Sequence, residues 1–366
     1  MANGGGASNA VAVALFAIYL GVNLGALLLA AQQQSGPRRY LNSTAVTLSE
    51  LLKFITSILA MYATAKSGRA AAAAVVRVLF GMPDQMVRVA IPALLYTIQN
   101  NIIYTSLSHL DAVTFQITYQ LKIVMSLIAS RLLLKKKASA MRWASTFLLT
   151  FGVILVQLSL NQPDDSAAAP APAAAAAAND EGEGEGGASG GGSGGGGSRS
   201  SASNGAGSSS GDNEEPKKNR MFGLAGVLLA CVCSGLAGAI MELLLKNTPL
   251  PLAERNLQVA TISLILASIH MFNHDSEALR RAGFFQGYTP GVWAMVSLDS
   301  VGGILVSMLL KYTTAMLKNF AAPIGIILNC LLSRYALNNS SFQPNKRFLL
   351  GTTLVLLALG LFSASA

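Results

Sequence analysis

The chain of 366 residues is 52% hydrophobic, with a mean hydropathy of +0.48 and a formal net charge of +9. Repeated apolar runs of about 20 residues exclude an ordinary soluble domain, because each run can cross the roughly 30 Å hydrocarbon core as one helix. The basic excess does not indicate nucleic-acid binding, since most basic residues flank apolar runs, where they set orientation in the membrane.

In chain order, the apolar runs predict ten membrane-spanning helices, at 10–31, 44–64, 89–108, 111–134, 141–160, 221–245, 255–272, 288–310, 315–336 and 348–364. The first run follows an uncharged N-terminus and is longer than the apolar core of a signal peptide, so we expect it to stay as an anchor. The further apolar stretch AAAAVVRVLFGM, between the second and third segments, is predicted to lie at the membrane interface.

The ten segments fall into two halves, 1–160 and 220–366, on either side of residues 161–219. That central stretch is rich in Gly, Ser, Ala and acidic residues, which cannot bury enough surface to offset ordering, so it is predicted to be a disordered linker. Because a five-helix unit repeated in tandem must insert with opposite orientation, the organisation predicts two inverted repeats. This is a transporter architecture with a substrate site near the midplane.

Short patterns support the repeat. The fourth and ninth segments share T-x-x-L-K, at 118–122 and 314–318, and the first and sixth share small residues four apart, Gly21/Gly25 and Ser234/Gly238. The basic loops at 65–88 and 135–142 favour a cytosolic N-terminus, but basic residues at 38, 39, 280, 281, 346 and 347 would then face the other side, so charge alone leaves the orientation open. In that orientation the glycosylation sequons at 42, 338 and 339 would face the lumen.

Lys122 stands at the middle of the fourth segment, where insertion of a lysine costs about 2.5–3.5 kcal/mol, so it should face a cavity or a partner. One interpretation is a structural ion pair, with Asp299 as the mid-span candidate and Glu50 and Glu242 nearer to segment ends. The other is an anion site in which Lys122 and Lys318 converge from opposite halves on one phosphate group. Lys318 is less diagnostic, because it could snorkel to the interface.

Residues with amide and hydroxyl side chains accompany the lysines, in the third, fourth, seventh and eighth segments: Gln99, Asn100, Asn101, Gln116, Thr118, Tyr119, Gln120, Asn256, Gln258 and Ser300. Such groups suit ribose, base edges and sugar hydroxyls. The alternative interpretation is hydrogen bonding between helices.

Several of these residues lie within motifs that resemble a known family: FQITYQLKI at 115–123, QNN at 99–101, CSGLAGAIMELLLK at 233–246, RNLQ at 255–258, GFFQGYTPGVW at 283–293, and SVGG and KYTTAMLKNF between 300 and 320. The motifs are similar to those of the Golgi nucleotide-sugar transporters, and within them to the carriers of UDP-galactose, UDP-N-acetylglucosamine and CMP-sialic acid. The resemblance covers the chain except the N-terminus and residues 161–219.

The resemblance implies an all-α, ten-helix drug/metabolite-transporter fold that exchanges lumenal nucleoside monophosphate for cytosolic nucleotide sugar. It also implies that Lys122 and Lys318 contact phosphate and that Asn100 and Asn256 line the nucleotide side of the cavity. The predicted substrate site further contains Gln99, Phe115, Tyr119, Gly302 and Gly303.

Five positions depart from the family pattern. Phe115 stands where the family usually has tyrosine, and Thr314 and Ala315 replace an Asp-Asn pair. Asp299 and Ala260 favour a UDP-sugar over CMP-sialic acid.

The sequence therefore predicts an antiporter that moves a UDP-sugar, UDP-galactose or UDP-N-acetylglucosamine, into the Golgi lumen, with the endoplasmic reticulum membrane as the alternative location. The alternative substrates are CMP-sialic acid and another phosphorylated metabolite. An enzyme is rejected, since Asp164-Asp165 lies in the linker and His109, His270 and His274 lack metal-ligand spacing. We expect no cofactor, metal or nucleic-acid partner, and a homo-oligomer is compatible with the sequence.

Overall fold

All regular elements in the described residues are helices. The computed structural model describes residues 4–34, 40–135, 139–160, 220–248, 250–335 and 344–364. Within these ranges there are thirteen helices: α1 Gly4–Gln34, α2 Asn42–Thr64, α3 Gly68–Phe80, α4 Pro83–His109, α5 Ala112–Tyr119, α6 Leu121–Leu133, α7 Ala140–Leu160, α8 Arg220–Asn247, α9 Leu252–His274, α10 Ser276–Ala282, α11 Pro290–Tyr312, α12 Ala315–Tyr335 and α13 Lys346–Ala364.

The apolar segments coincide with these helices, as predicted. Seven helices in the described part of the chain are long and apolar enough to cross a membrane by themselves (α2, α7, α8, α9, α11, α12 and α13), and the bent pair α3–α4 would make an eighth. The chain is therefore a multi-pass helical membrane protein, while the count of ten remains a prediction. The predicted linker, 161–219, lies outside the described residues.

The stretch predicted to be interfacial forms α3, which meets α4 at an angle of 63°. With 13 residues, α3 is about 20 Å long and too short to cross the hydrocarbon core. Ser67 caps its first turn by accepting a hydrogen bond from the Ala70 amide at 3.3 Å. Pro83 begins α4, and because a proline disfavours a helical conformation of the residue before it, the chain bends at Met82 between the helices.

The fourth predicted segment is interrupted, in contrast to the continuous helix that its apolar run predicts. α5 ends at Tyr119 and α6 begins at Leu121, with Gln120 between them. The Gln120 amide donates to the carbonyl of Ile117, three residues back, at 3.3 Å. This tight turn, often found at functional sites, stands inside the T-Y-Q-L-K motif and places Lys122 in the first turn of α6.

The two halves pack against each other through corresponding helices. α2 lies on α9 and α7 on α13, while α1 contacts α11 and α4 contacts α8. The contact of α6 with α8 likewise has its counterpart in that of α12 with α1. Exchanging each of these helices for the one at the corresponding position in the other part of the chain gives the same pairs.

The contact between α7 and α13 depends on two glycines, Gly152 and Gly351, that face each other. A Cβ atom at Gly351 would lie 2.7 Å from the Gly152 carbonyl oxygen and 2.9 Å from the Val156 amide nitrogen. Since both are backbone atoms, they cannot move aside as a flexible side chain would. Small residues at such contacts let helix backbones approach closely within a membrane.

We therefore expect Gly351→Ala to destabilise the protein by about 2–3 kcal/mol, because overpacking of this order forces backbone shifts. In detergent the unfolding temperature should fall by about 5 °C or more. Gly360→Ala on the same helix is the matched control, because no atom lies within 4 Å of its added Cβ. Equal unfolding temperatures for the two variants would contradict this account of the contact.

Candidate substrate-binding cavity

A cavity lies between helices of both halves, lined by residues of α2, α4, α6, α8, α9, α11 and α12. It extends from the middle of the bundle towards the end where α2, α8 and α11 finish and α4, α9 and α12 begin. Its main polar side chains are those of Glu50, Lys53, Asn256, Ser263, Lys318 and Asn319.

An ion pair lies on the α2 side of this cavity. The Lys53 ammonium is 3.0 Å from Glu50 Oε1, and both side chains are buried. Gly303 of α11 faces the pair, and a Cβ atom there would lie 2.5 Å from Lys53 Cε. The absence of a side chain at Gly303 thus gives the lysine its space. Both side chains are buried, so each charge depends on the other for its compensation.

Four buried polar atoms on the cavity wall have no hydrogen-bond partner: Glu50 Oε2, Asn256 Oδ1, Ser263 Oγ and Asn319 Nδ2. Leaving a buried polar group unsatisfied costs about 1–3 kcal/mol. Such atoms are expected to bind water or a polar ligand. Among the described residues no three His, Cys, Asp or Glu side chains come together in a metal-binding group.

Lys318 reaches the cavity from the first turn of α12. Thr314 caps this helix, because its hydroxyl accepts a hydrogen bond from the Leu317 amide at 3.3 Å. Lys318 is 8% exposed, and its neighbour Asn319 also lines the cavity. Thr314, one of the departures from the family pattern, thus serves as the helix cap.

Lys122 lies in a second cluster, beside the cavity and not on its wall. Its ammonium is 4.6 Å from the centre of the Tyr119 ring, a cation–π contact. The ring of Phe115 stacks on Tyr119 at 5.5 Å, and Gln99 Nε2 donates a hydrogen bond to the Tyr119 hydroxyl at 2.9 Å. Ser126, one turn further along α6, is on the cavity wall.

The nine predicted site residues therefore divide into three sets. Asn256, Gly303 and Lys318 line the cavity. Gln99, Phe115, Tyr119 and Lys122 form the second cluster. Asn100 and Gly302 are buried next to members of these two sets, without being part of the wall.

The candidate partner of Lys122 in the sequence, Asp299, lies elsewhere. Asp299 is close enough to Tyr40 and Glu50 to act on both electrostatically. No ion pair among the described residues joins it to Lys122.

Among the lining residues that the sequence reasoning missed are Lys53, Tyr96, Ser263 and Asn319. The signal for Lys53 was present, because an acid and a lysine three residues apart inside an apolar segment are an intramembrane pair. Ser263 offered no comparable signal, since a single serine in a membrane helix commonly bonds to its own backbone.

The opposite end of the bundle is packed. There the start of α2 contacts the segment around α10 and the start of α11: Ser43 Oγ donates to Asp275 Oδ2 at 2.5 Å, and the Thr44 and Tyr288 hydroxyls are 3.1 Å apart. Below them is an apolar cluster of Ala45, Leu48, Val292 and Val296. Burial, the neighbouring Tyr288 and Asp299 together raise the pKa of Tyr40 in this cluster to about 12. Within the described residues, the cavity therefore extends from the middle of the bundle towards one end and not towards this packed end.

Comparison with known proteins gives consistent results. Residues 12–363 match the family model described as nucleotide-sugar transporter. The chain is 34% identical to the UDP-N-acetylglucosamine transporter of Homo sapiens, over 90% of this chain and 87% of that protein. It is 33% identical to the UDP-galactose transporter of Schizosaccharomyces pombe, over 89% of this chain and 79% of that protein. A solved crystal structure with 11% identity covers 98% of each chain with a TM-score of 0.60, a likeness of fold alone.

Proposed function

The chain belongs to the nucleotide-sugar transporter family, and from that premise we propose that it carries a UDP-sugar into the Golgi lumen in exchange for a nucleoside monophosphate. UDP-N-acetylglucosamine and UDP-galactose are the favoured substrates, because relatives over most of the chain are named as transporters of these two. The alternative substrates are CMP-sialic acid and another phosphorylated metabolite.

The observation that carries this proposal is a cavity that combines lysines with unsatisfied polar atoms. Lys318 and Lys53 lie on its wall, and an ammonium group is a compact partner for phosphate. Asn256, Ser263 and Asn319 supply both donors and acceptors without partners, which suits a base and a sugar. Lys122 is one turn from Ser126 on the wall, so a rotation of its flexible side chain would bring a third ammonium group to the phosphates.

The mechanism we propose is alternating access between two inverted five-helix repeats. It is supported by the correspondence of helix contacts between the halves, with α2 on α9 and α7 on α13. It is also supported by the one-sided cavity, since in such transporters one half rocks against the other around a fixed site. The contacts of Ser43 and Thr44 at the packed end would then have to break when the cavity opens there.

The cavity end is proposed to face the cytosol. Basic residues concentrate on this side of the bundle, in and around α3 and the start of α4: Lys66, Arg69, Arg77 and Arg88. Cytosolic loops carry such an excess of Lys and Arg. In this orientation the cavity would accept nucleotide sugars from the cytosol.

The experiment is nucleotide exchange in liposomes that contain the purified protein. We expect uptake of radiolabelled UDP-N-acetylglucosamine or UDP-galactose to rise about tenfold or more when the liposomes contain UMP, because an obligatory exchanger returns through the membrane only when loaded. A panel of UDP-, GDP- and CMP-sugars then assigns the substrate. Equal uptake by empty and UMP-loaded liposomes would contradict exchange, and uptake of none of the panel would contradict nucleotide-sugar transport itself.

A further inference from the structure

A second acidic residue in the membrane, Glu242 of α8, has a different environment from that of Glu50. It is fully buried, and both of its carboxylate oxygens are engaged. Oε1 is 2.7 Å from the Lys246 ammonium, one turn further along the same helix. Oε2 accepts a hydrogen bond from the backbone amide of Ala315 at 3.0 Å.

These contacts fix the turn that joins α11 to α12. Ala315 is the first residue of α12, and its amide is one of the donors that a helix N-terminus leaves unsatisfied. Lys246 donates in addition to the carbonyl of Thr313, within the same turn. A carboxylate at this place also interacts favourably with the positive end of the α12 dipole. One side-chain pair of α8 thus binds both sides of the turn.

The turn connects two walls of the cavity. Gly303 and Ser307 lie on α11 before it, and Lys318 and Asn319 lie on α12 after it. Lys318 is only three residues from the amide that Glu242 binds, so the direction of the first turn of α12 sets the origin of the lysine side chain. A small displacement of that turn would move the ammonium relative to any phosphate in the cavity.

The first half of the chain has no equivalent carboxylate. If Gly21 and Gly25 correspond to Ser234 and Gly238, the positions corresponding to Glu242 and Lys246 are Leu29 and Gln33. A leucine side chain cannot accept a hydrogen bond. The pair is thus specific to the half that carries Lys318, which argues against a general requirement of the repeat for it.

We propose that Glu242 is a positioning residue for substrate binding, which holds the start of α12 so that Lys318 meets the phosphate of the nucleotide. The inference rests on the proposed function and goes beyond it, because Glu242 itself does not line the cavity. Lys246 is the neutralising partner that makes the buried carboxylate tolerable.

The test is a double-mutant cycle that measures the Kd of UMP for the purified, full-length protein. We expect Glu242→Leu to raise this Kd about tenfold and Lys318→Gln to raise it about a hundredfold. In the double variant the Glu242 substitution should have no further effect, because the ammonium that it positions is gone. Glu277→Leu is the matched control, since Glu277 pairs with Arg281 at the same spacing on the exposed helix α10. Its Kd should equal that of the wild type.

A conservative variant keeps the proposal testable if Glu242→Leu does not fold. Glu242→Gln alone leaves an amide oxygen that accepts from Ala315 and keeps the Lys246 bond to the Thr313 carbonyl, so its Kd should stay within about threefold of the wild type. Additive effects of Glu242→Leu and Lys318→Gln, or a loss of affinity in this conservative variant, would overturn the positioning role. An unchanged Kd in Lys318→Gln would instead contradict the phosphate site in the proposed function.

Discussion

Gly303→Ala is expected to leave the protein folded and to reduce nucleotide-sugar exchange by about a hundredfold. The added Cβ would lie 2.5 Å from Cε and 2.7 Å from Nζ of Lys53. Because these atoms are the flexible end of a long side chain, the helices need not separate. The Lys53 ammonium must leave its position instead. Glu50 Oε1 then loses the partner that lies 3.0 Å away in the wild type. Separating a buried pair costs about 3–5 kcal/mol, and the displaced lysine enters the cavity.

The measurement is the initial rate of exchange per folded protein molecule, with folding followed by the unfolding temperature. Gly360→Ala is again the control, since its Cβ meets no atom within 4 Å and the residue is not on the cavity wall. If Gly303→Ala exchanged as fast as this control, the position of Lys53 would have no importance for transport, and the pair would be merely structural.

Lys318→Gln is expected to lower the affinity for UMP and for the UDP-sugar about a hundredfold, while the affinity for uridine changes by less than about threefold. The reason is that the ammonium binds the phosphate and not the nucleoside. Removing one member of a buried, charged hydrogen bond typically costs 2–5 kcal/mol, or about 30-fold and more in Kd. Arginine at the same position should restore only part of the affinity, because its planar fork does not reproduce a compact ammonium group.

Binding measurements with UMP and uridine on the same preparations would test this difference. Equal losses for the two ligands would show that Lys318 supports the shape of the cavity instead of the phosphate. Lys66→Gln is a suitable control, because it removes a lysine from the same end of the protein at an exposed position away from the cavity.

The sequence determined the class and the segments of this protein. An apolar run of about 20 residues has only one low-energy form in a bilayer, since a helix satisfies all of its own backbone hydrogen bonds there. The helical segments and the short α3 could thus be predicted from local composition, while the role of Lys318 stays a prediction that rests on the family resemblance. Motifs such as FQITYQLKI at 115–123 were sufficient to indicate the family, which the relatives over most of the chain confirm.

The tertiary structure alone decided which polar groups meet. The Glu50–Lys53 pair lies against Gly303 of another helix, Gln99 donates to the Tyr119 hydroxyl, and Glu242 binds the amide of Ala315, 73 residues away. These arrangements depend on the rotation of each helix and on its neighbours, which an apolar pattern leaves open, because lipid tails favour no particular packing between helices. The close contact of Gly152 with Gly351 and the location of the cavity towards one end of the bundle likewise depend on how the helices pack.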